Sequence, residues 1–457
     1  MDRTDGNELA AALARARQMA AAAEDEAATQ LYLEVLRLDP TNFPALNELG
    51  TLALAGGYRS AARTAYRQAV LHHPSNPIGR VNLANVLRED NDLEGAREQY
   101  EAALAADPHL PEAHQGMAWV LTELELAGAE AHFRLGYMDR ALVTKPYRGT
   151  GTGADLVLIV AARGGNIPTQ LWIDDRRFTV HAVFADFYDP QRPLPPHALV
   201  VNAIGDADLC AAALANAEAL LMHDASRIIN RPDRVRATGR AANARRLGSL
   251  PGVIAPRIEA MSASALLGAP ELVFPLLLRR PGFHTGRHFV HVAGREALGP
   301  AVQSLACEEL LVIEYLDARG ADGRARKYRV MFIDGVAYPL HLAISGDWKV
   351  HYFSADMATS AALRAEERRF LEDMPGVLGG RAMSALGGVC AALGLDYAGI
   401  DFALAADGSV LLFEANATMV VFPPGADPIW DYRRGAIETV LEAARRLLGP
   451  ENQPGRT

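Results

Sequence analysis

Alanine, tyrosine and proline recur in phase every 34 residues through the first part of the chain, and this period restricts the fold more than any other feature. Ala28, Ala62 and Ala96 share one column, Tyr32, Tyr66 and Tyr100 a second, and Pro40, Pro74 and Pro108 a third. Leu49 and Leu83 form a fourth, beside the small residues Gly50 and Ala84. Small side chains in fixed columns let two antiparallel helices approach closely, the tyrosine fills the gap between neighbouring pairs, and proline stops the second helix. The pattern predicts an all-α helix-turn-helix solenoid over residues 10 to 145. Its last unit drifts: His114 to Leu126 reads as a first helix, the alanine column slips to Ala129 or Ala131, and a degenerate helix running to about Arg140 closes the array.

The columns resemble the tetratricopeptide repeat in their period, their alternation of large and small positions and their terminal proline. That resemblance implies a concave groove for a peptide or protein partner, with a scaffold or dimerisation surface as the alternative, because a repeat fixes shape and says little about ligand.

A chain of 457 residues, half of them hydrophobic, is long enough to bury more than one core. Its formal charge of -10 argues against nucleic acid or an anionic membrane as a general partner, so any phosphate chemistry has to be local. The three cysteines, Cys210, Cys307 and Cys390, are odd in number and widely spaced, which suits neither a disulfide framework nor a zinc cluster and fits a reducing cytoplasm. Arg15, Arg17, Glu24 and Asp25 interrupt the Ala-rich start, giving an amphipathic helix in place of a signal segment. No other stretch reads as long and apolar enough to span a bilayer.

From Lys145 to Gly153 the helical pattern gives way to Pro146 and three glycines, the mark of a linker. The runs Leu156–Ala161, Thr179–Phe184 and Ala198–Ala203 read as strands, with a helix from Asp208 to His223. This alternation predicts a small parallel α/β unit, with Asn202, Gly205 and Asp206 at a strand's C-terminal end, where they serve as turn residues or, less readily, as substrate contacts.

The chemistry concentrates near the C-terminus. Two apolar, β-prone runs, Tyr397–Ala405 and Val410–Asn416, flank Asp407-Gly408, a strong hairpin signal. A two-residue loop there pairs Ala406 with Ser409 and places Asp401 directly opposite Glu414, with Asn416 on the same face as Glu414. Two like charges with Cβ atoms about 4.5–5.5 Å apart destabilise a sheet unless something positive lies between them. A divalent cation removes that penalty, and Mg2+ favours oxygen ligands of this kind.

Asp401, Glu414 and Asn416 resemble the magnesium signature of the ATP-grasp superfamily, closest in style to the glutathione synthase and ribosomal-protein glutamate ligase branch. Other segments follow in that family's order. Asn230-Arg-Pro232 and then Arg240 resemble the entry to the nucleotide-binding subdomain. Phe274–Pro281, followed by Gly282 and Gly286, resembles the strand and glycine loop that cover the phosphates. Leu311–Leu316 resembles the hinge that holds adenine, and Lys327-Tyr-Arg329 the basic position on the next strand.

The resemblance implies ATP and Mg2+ as cofactors and a carboxylate as substrate. It assigns Asp401, Glu414 and Asn416 to the metal, and Arg240, Arg280, His284, Gly286, Glu314, Tyr315, Leu316, Asp317 and Lys327 to the nucleotide. Arg329 and Arg280 are the catalytic residues it implies. The family's two lysines are arginines here, Arg240 and Arg280, with Arg279 the alternative for the second; guanidinium binds phosphate bidentately and keeps its charge. Lys327 occupies the approximate place of the ribose-binding acid, leaving Asp317 as a substitute. His284, His288, His291, His341 and His351 lack the helical context of zinc ligands and read as polar loop residues, and Trp348 as a core or lid anchor more than a substrate wall.

The expected organisation is multidomain: an all-α repeat solenoid (residues 1–146), an α/β pre-grasp substrate domain (147–230), an α+β ATP-grasp domain (231–450) and a tail (451–457). The implied activity is ATP-dependent carboxylate–amine or carboxylate–thiol ligation through an acylphosphate. Two alternatives stand beside it, a kinase on the same scaffold and a nucleotide-binding adaptor without turnover.

Overall fold

The computed structural model describes residues 3–22, 24–283, 286–350, 355–425 and 427–449, with side chains from residue 8 onward. The chain divides into two compact units, Met1–Val143 and Thr144–Thr457.

Among the described residues the first unit holds eight helices in four antiparallel pairs: α1 (Arg3–Ala21) with α2 (Asp25–Leu38), α3 (Phe43–Ala55) with α4 (Arg59–His72), α5 (Pro77–Glu89) with α6 (Leu93–Ala106), and α7 (Pro111–Glu123) with α8 (Ala129–Tyr137). The columns do what the sequence requires of them. Ala28, Ala62 and Ala96 are fully buried, as are Tyr32 and Tyr100, and Tyr66 is buried beside them. A Cβ on Gly50 would fall 2.5 Å from the Tyr66 ring, so close packing excludes a larger residue there. The hydroxyls of Tyr66 and Tyr100 find partners on the first helix of their own pair, Thr51 at 3.1 Å and Asn85 at 2.6 Å.

Asn42, Asn76 and Asp92 cap α3, α5 and α6 by accepting from backbone N–H groups of the first turn. Each column proline lies just beyond a second helix, not inside it. The last pair differs in its bounds from the sequence reading. Its first helix begins at Pro111, because proline is pre-set for a first helical position, and its second ends at Tyr137, short of Arg140. Ala129 is the slipped column residue that packs on the core.

The second unit contains three sheets. The first has the order β1 (Leu142–Lys145), β3 (Phe178–Phe184), β2 (Ala154–Val160), β4 (Leu199–Asn202), β5 (Arg227–Ile229), and β2 to β5 run parallel, with α9 (Ala211–Leu220) following β4. The parallel α/β reading therefore holds; edge strand β1 falls at the end of the span expected to be helical solenoid, which corrects that bound. After α10 (Pro232–Arg236), α11 (Arg240–Gly248) and β6 (Val253–Ile254) comes an antiparallel sheet of β7 (Ile258–Ser262), β10 (Glu309–Glu314), β8 (Leu276–Arg279) and β9 (Phe289–Val292). Helices α12 (Ala263–Gly268) and α13 (Arg295–Leu305) cover it and complete a core of Leu266, Leu276, Leu278, Val292 and Leu310.

The third sheet has the order β12 (Val336–Ser345), β11 (Ala325–Ile333), β13 (Tyr397–Leu404), β14 (Val410–Asn416), β6. Helices α14 (Ala361–Glu372), α15 (Met374–Leu393) and α16 (Arg434–Leu447) pack on it. By length and composition α15 alone among the described helices could cross a membrane, which corrects the expectation that no stretch qualifies. It breaks at Gly379 (φ 76°, ψ 166°) and buries Leu378, Ala382, Leu386, Val389 and Leu393 against the unit.

Gly116 approaches Tyr100 so closely that a Cβ would lie 2.1 Å from the ring, and Tyr100 is fully buried and hydrogen-bonded. Gly116→Val should therefore destabilise the repeat unit by about 1–3 kcal/mol in urea unfolding followed by circular dichroism.

Candidate functional site

The acidic hairpin forms by a route the two-residue loop did not anticipate. Leu404 pairs with Val410, Ala403 with Leu411 and Phe402 with Leu412, so the turn is one residue longer, Ala406 to Gly408, with Gly408 at φ 80°. The register then shifts between Phe402 and Asp401, and Phe413 is the extra residue. That bulge restores the expected pairing: Asp401 opposes Glu414 and Gly399 opposes Asn416. Without the bulge, Phe413 would face Asp401 and Glu414 would turn to the opposite face.

On the other side of β13, Arg329 of β11 pairs with Asp401, and on the far side of β11 with His341 of β12. A single row thus crosses the sheet: His341, Arg329, Asp401, Glu414. Arg329 grips Asp401 with two hydrogen bonds, Nε to Oδ1 at 2.6 Å and Nη2 to Oδ2 at 2.8 Å, and Lys327 Nζ lies 3.2 Å from Oδ2. Glu414 Oε1 accepts from Arg240 Nη2 at 2.7 Å and from Asn416 Nδ2 at 2.9 Å. Asn416 Oδ1 in turn accepts from the Thr418 N–H and hydroxyl.

The like-charge penalty is therefore met by the protein's own cations. Burial alone would raise the Asp401 carboxyl, but Arg329 and Lys327 reverse this and hold it far below the usual carboxylate range. Glu414 keeps the Arg240 guanidinium charged against its burial. His341, buried on strand β12 and not in a loop as its sequence suggested, is pushed well down by burial and by Arg329, so it stays neutral.

Arg240, the first residue of α11, also donates its backbone N–H to Asp208 at 2.9 Å. Gly205, Asp206 and Asp208, in the loop after β4, line a narrow cleft together with Arg240, Asn243, Glu414 and Asn416. Asp206 Oδ1 caps the N–H groups of Asp208 and Leu209. Asn202 serves structure: fully buried, it donates to the Asn230 carbonyl at 2.9 Å. Asn230 exchanges two hydrogen bonds with the Tyr397 backbone, which ties the first sheet to the start of β13.

The second arginine that faces this cluster is Arg279. It ends β8, is buried, and donates through Nε to the Phe283 carbonyl at 3.1 Å. Burial and the neighbouring Arg240 lower it to about 10, opposed by Glu414, Asp206 and Asp208. Arg280 instead lies over the Phe283 ring at 4.9 Å. Arg279 stacks on Phe289, Phe289 packs on Trp348, and Trp348 on His291, which lies on β9 and touches Tyr315.

His291, Tyr315 and Trp348, with Pro275, Arg319 and Asp347, line a second cleft of about 600 Å3, within the range of small-molecule sites. Trp348 is thus a wall of this cleft. Asp317 is paired with Arg319 at 2.6 Å, Glu314 accepts from the Arg257 N–H at 3.0 Å, and Leu316 follows the end of β10. The Gly286 carbonyl accepts from Lys349. His284 and His351 lie outside the described residues.

Residues 47–111 match the tetratricopeptide repeat family. The N-terminal unit is a tetratricopeptide repeat region. Solved structures similar to this region include MamA from Desulfovibrio magneticus (21% identity, 27% of this chain and 70% of that one, TM-score 0.25). The Sgt2 repeat domain from Aspergillus fumigatus aligns at 21% identity over 26% of this chain and 80% of that one, TM-score 0.25. The first repeat domain of Spaghetti (RPAP3), bound to an HSP90 peptide, aligns at 16% identity over 26% of this chain and 94% of that one, TM-score 0.25. No curated protein matches the chain. Tetratricopeptide repeats commonly serve protein–protein interaction.

Among the described residues no three His, Cys, Asp or Glu side chains converge as metal ligands. The donor set Asp401, Glu414 and Asn416 is two carboxylates and an amide, all oxygen donors, with protein cations standing where a metal's charge would.

Because Asp401 titrates lower in the folded chain than in the unfolded one, its stabilisation is complete above about pH 4 and drains away as pH falls toward its folded value. Asp401→Asn should cost about 3–5 kcal/mol at pH 7 and flatten the acid limb of a melting-temperature profile taken from pH 7 to 2.

Proposed function

We propose that the Thr144–Thr457 unit is an ATP-dependent carboxylate–amine ligase of the ATP-grasp type, to which the tetratricopeptide repeats bring a peptide or protein. The observation that carries this reading is the charged row, Asp401 opposite Glu414 with Arg329, Lys327 and Arg240 on the same two carboxylates. Phosphoryl transfer asks little covalent help of a protein; it needs cations to position oxygens and to neutralise charge as it moves. No nucleophilic side chain is required.

Asp401, Glu414 and the Asn416 amide would hold Mg2+, which when bound supplies charge neutralisation on phosphate oxygens. The chain's own residues do the rest. Arg240 and Arg279, at one end of the row, suit a bidentate grip on phosphate. This shifts the assignment from Arg280, whose guanidinium lies over Phe283. Arg329, next to the acids, suits the attacking carboxylate or the acylphosphate it becomes, and Lys327 beside it shares that charge. The aromatic cleft of Tyr315, His291 and Trp348 suits a purine, continuous with the phosphate clamp through Phe289 and Arg279. The amine acceptor then displaces phosphate from the acylphosphate.

The test is ADP and phosphate release from Mg-ATP with pooled amino acids, peptides and small carboxylic acids. A ligase releases phosphate only when acid and acceptor are both present; a kinase forms ADP and a phosphorylated product with one substrate; ATP binding without ADP under every mixture would overturn the reading in favour of an adaptor. Glu414→Gln should lower ADP formation by about 100-fold or more in the same assay. Trp348→Ala should weaken ATP binding roughly tenfold by calorimetry, the loss of one stacked base. Removing residues 1–143 should raise the Michaelis constant for a peptide substrate and leave ATP affinity unchanged.

A further inference from the structure

We infer that Arg329, Lys327 and Arg240 are built-in counter-cations that keep the acidic pair closed to a divalent metal until an anionic nucleotide draws them away, so that metal and nucleotide load cooperatively. The inference rests on the proposed role of Asp401 and Glu414 as the metal-binding pair and adds how that pair is regulated.

Both oxygens of Asp401 are engaged, Oδ1 by Arg329 Nε at 2.6 Å and Oδ2 by Arg329 Nη2 at 2.8 Å and Lys327 Nζ at 3.2 Å. Glu414 Oε1 is held by Arg240 at 2.7 Å and by Asn416 at 2.9 Å. The third donor is turned away as well. Asn416 presents its amide NH2 to Glu414, while its oxygen accepts from Thr418 N at 3.0 Å and Thr418 Oγ1 at 2.9 Å.

Three cations thus contact the two carboxylates directly, so a divalent ion approaching the pair finds positive groups already seated on its ligand oxygens, even with Asp206 and Asp208 near Arg240. Water screens that repulsion only in part, since the Asp401 side chain is 6% exposed, Lys327 and Arg240 15%, Arg329 20% and Glu414 30%. Entry of the metal therefore requires the cations to leave, and they need somewhere to go. Guanidinium forms the same bidentate bonds with phosphate as with carboxylate, so an incoming polyphosphate offers each arginine an equivalent partner. The exchange is one of partners: arginine moves from carboxylate to phosphate, and the metal takes the vacated carboxylate. By linkage each ligand must then raise the other's affinity by the same factor.

Manganese is the probe, with free Mn2+ counted by electron paramagnetic resonance in titrations of the full chain, with and without a non-hydrolysable ATP analogue. The wild-type chain should bind Mn2+ weakly alone and about tenfold or more tightly with the analogue. Arg240→Met, at the start of a helix, and Arg329→Gln, within the sheet, should each tighten Mn2+ binding without nucleotide and shrink the gain the analogue brings. Circular dichroism reports whether the Arg329 variant folds, and Arg240→Met decides the matter if it does not. Equal Mn2+ affinity with and without the analogue, unchanged in Arg240→Met but lost in Glu414→Gln, would overturn the counter-cation role and leave the metal pair standing. No Mn2+ binding under either condition would sink the ligase reading and this inference with it.

Discussion

The third sheet is organised around one costly fact: a carboxylate, Asp401, is buried in the middle of an apolar strand. Removing such a charge from water is tolerable only where opposite charge and hydrogen bonds replace the solvent. Arg329 does this from the neighbouring strand, which fixes the β11–β13 register, since a slip of one residue would turn the guanidinium to the wrong face. Behind that pair, His341 fills the next position of the row in neutral form. One residue further along β12, the Leu342 N–H donates to Glu367, itself fully buried and paired with Arg433 at 2.7 Å. Charge is therefore balanced locally at each layer.

The same site draws on all three sheets of its unit. Arg240 arrives from a helix that follows the first sheet, Arg279 from the end of a strand in the second, and the acids from the third. Asn230 holds the first sheet to β13 through the backbone of Tyr397, so the strand bearing Asp401 is anchored at its start. Preorganisation of this kind lets side chains from distant parts of the sequence meet without loop rearrangement.

Much of this was legible in the sequence because periodicity reports packing directly. The 34-residue columns foretold three close helix pairs and a drifted fourth, and the apolar runs around Asp407-Gly408 foretold a hairpin that opposes two acids. Other features leave no such trace. Arg279 and Arg280 are adjacent, and only the strand's orientation decides which one points at Arg240. His341 reads as a loop histidine because nothing local announces that it lies on a strand paired with β11 and covered by helices. The cleft walls, His291, Tyr315 and Trp348, come from three segments whose proximity depends on how sheets pack, a long-range property. The turn was misread by one residue, because Gly408 takes a left-handed conformation at the third loop position and not the second.

That misreading left the pairing of the acids untouched, and the reason lies in Phe413. A bulge stores one spare residue between the hairpin's tip and the end that carries the acids. The tip can change parity, sliding to a tighter bend, by drawing the spare back into line, and Glu414 stays where it is. Variation in the bend is thus insulated from the carboxylates: an evolving chain could lengthen or trim its exposed tip by one residue without re-aiming the two acids.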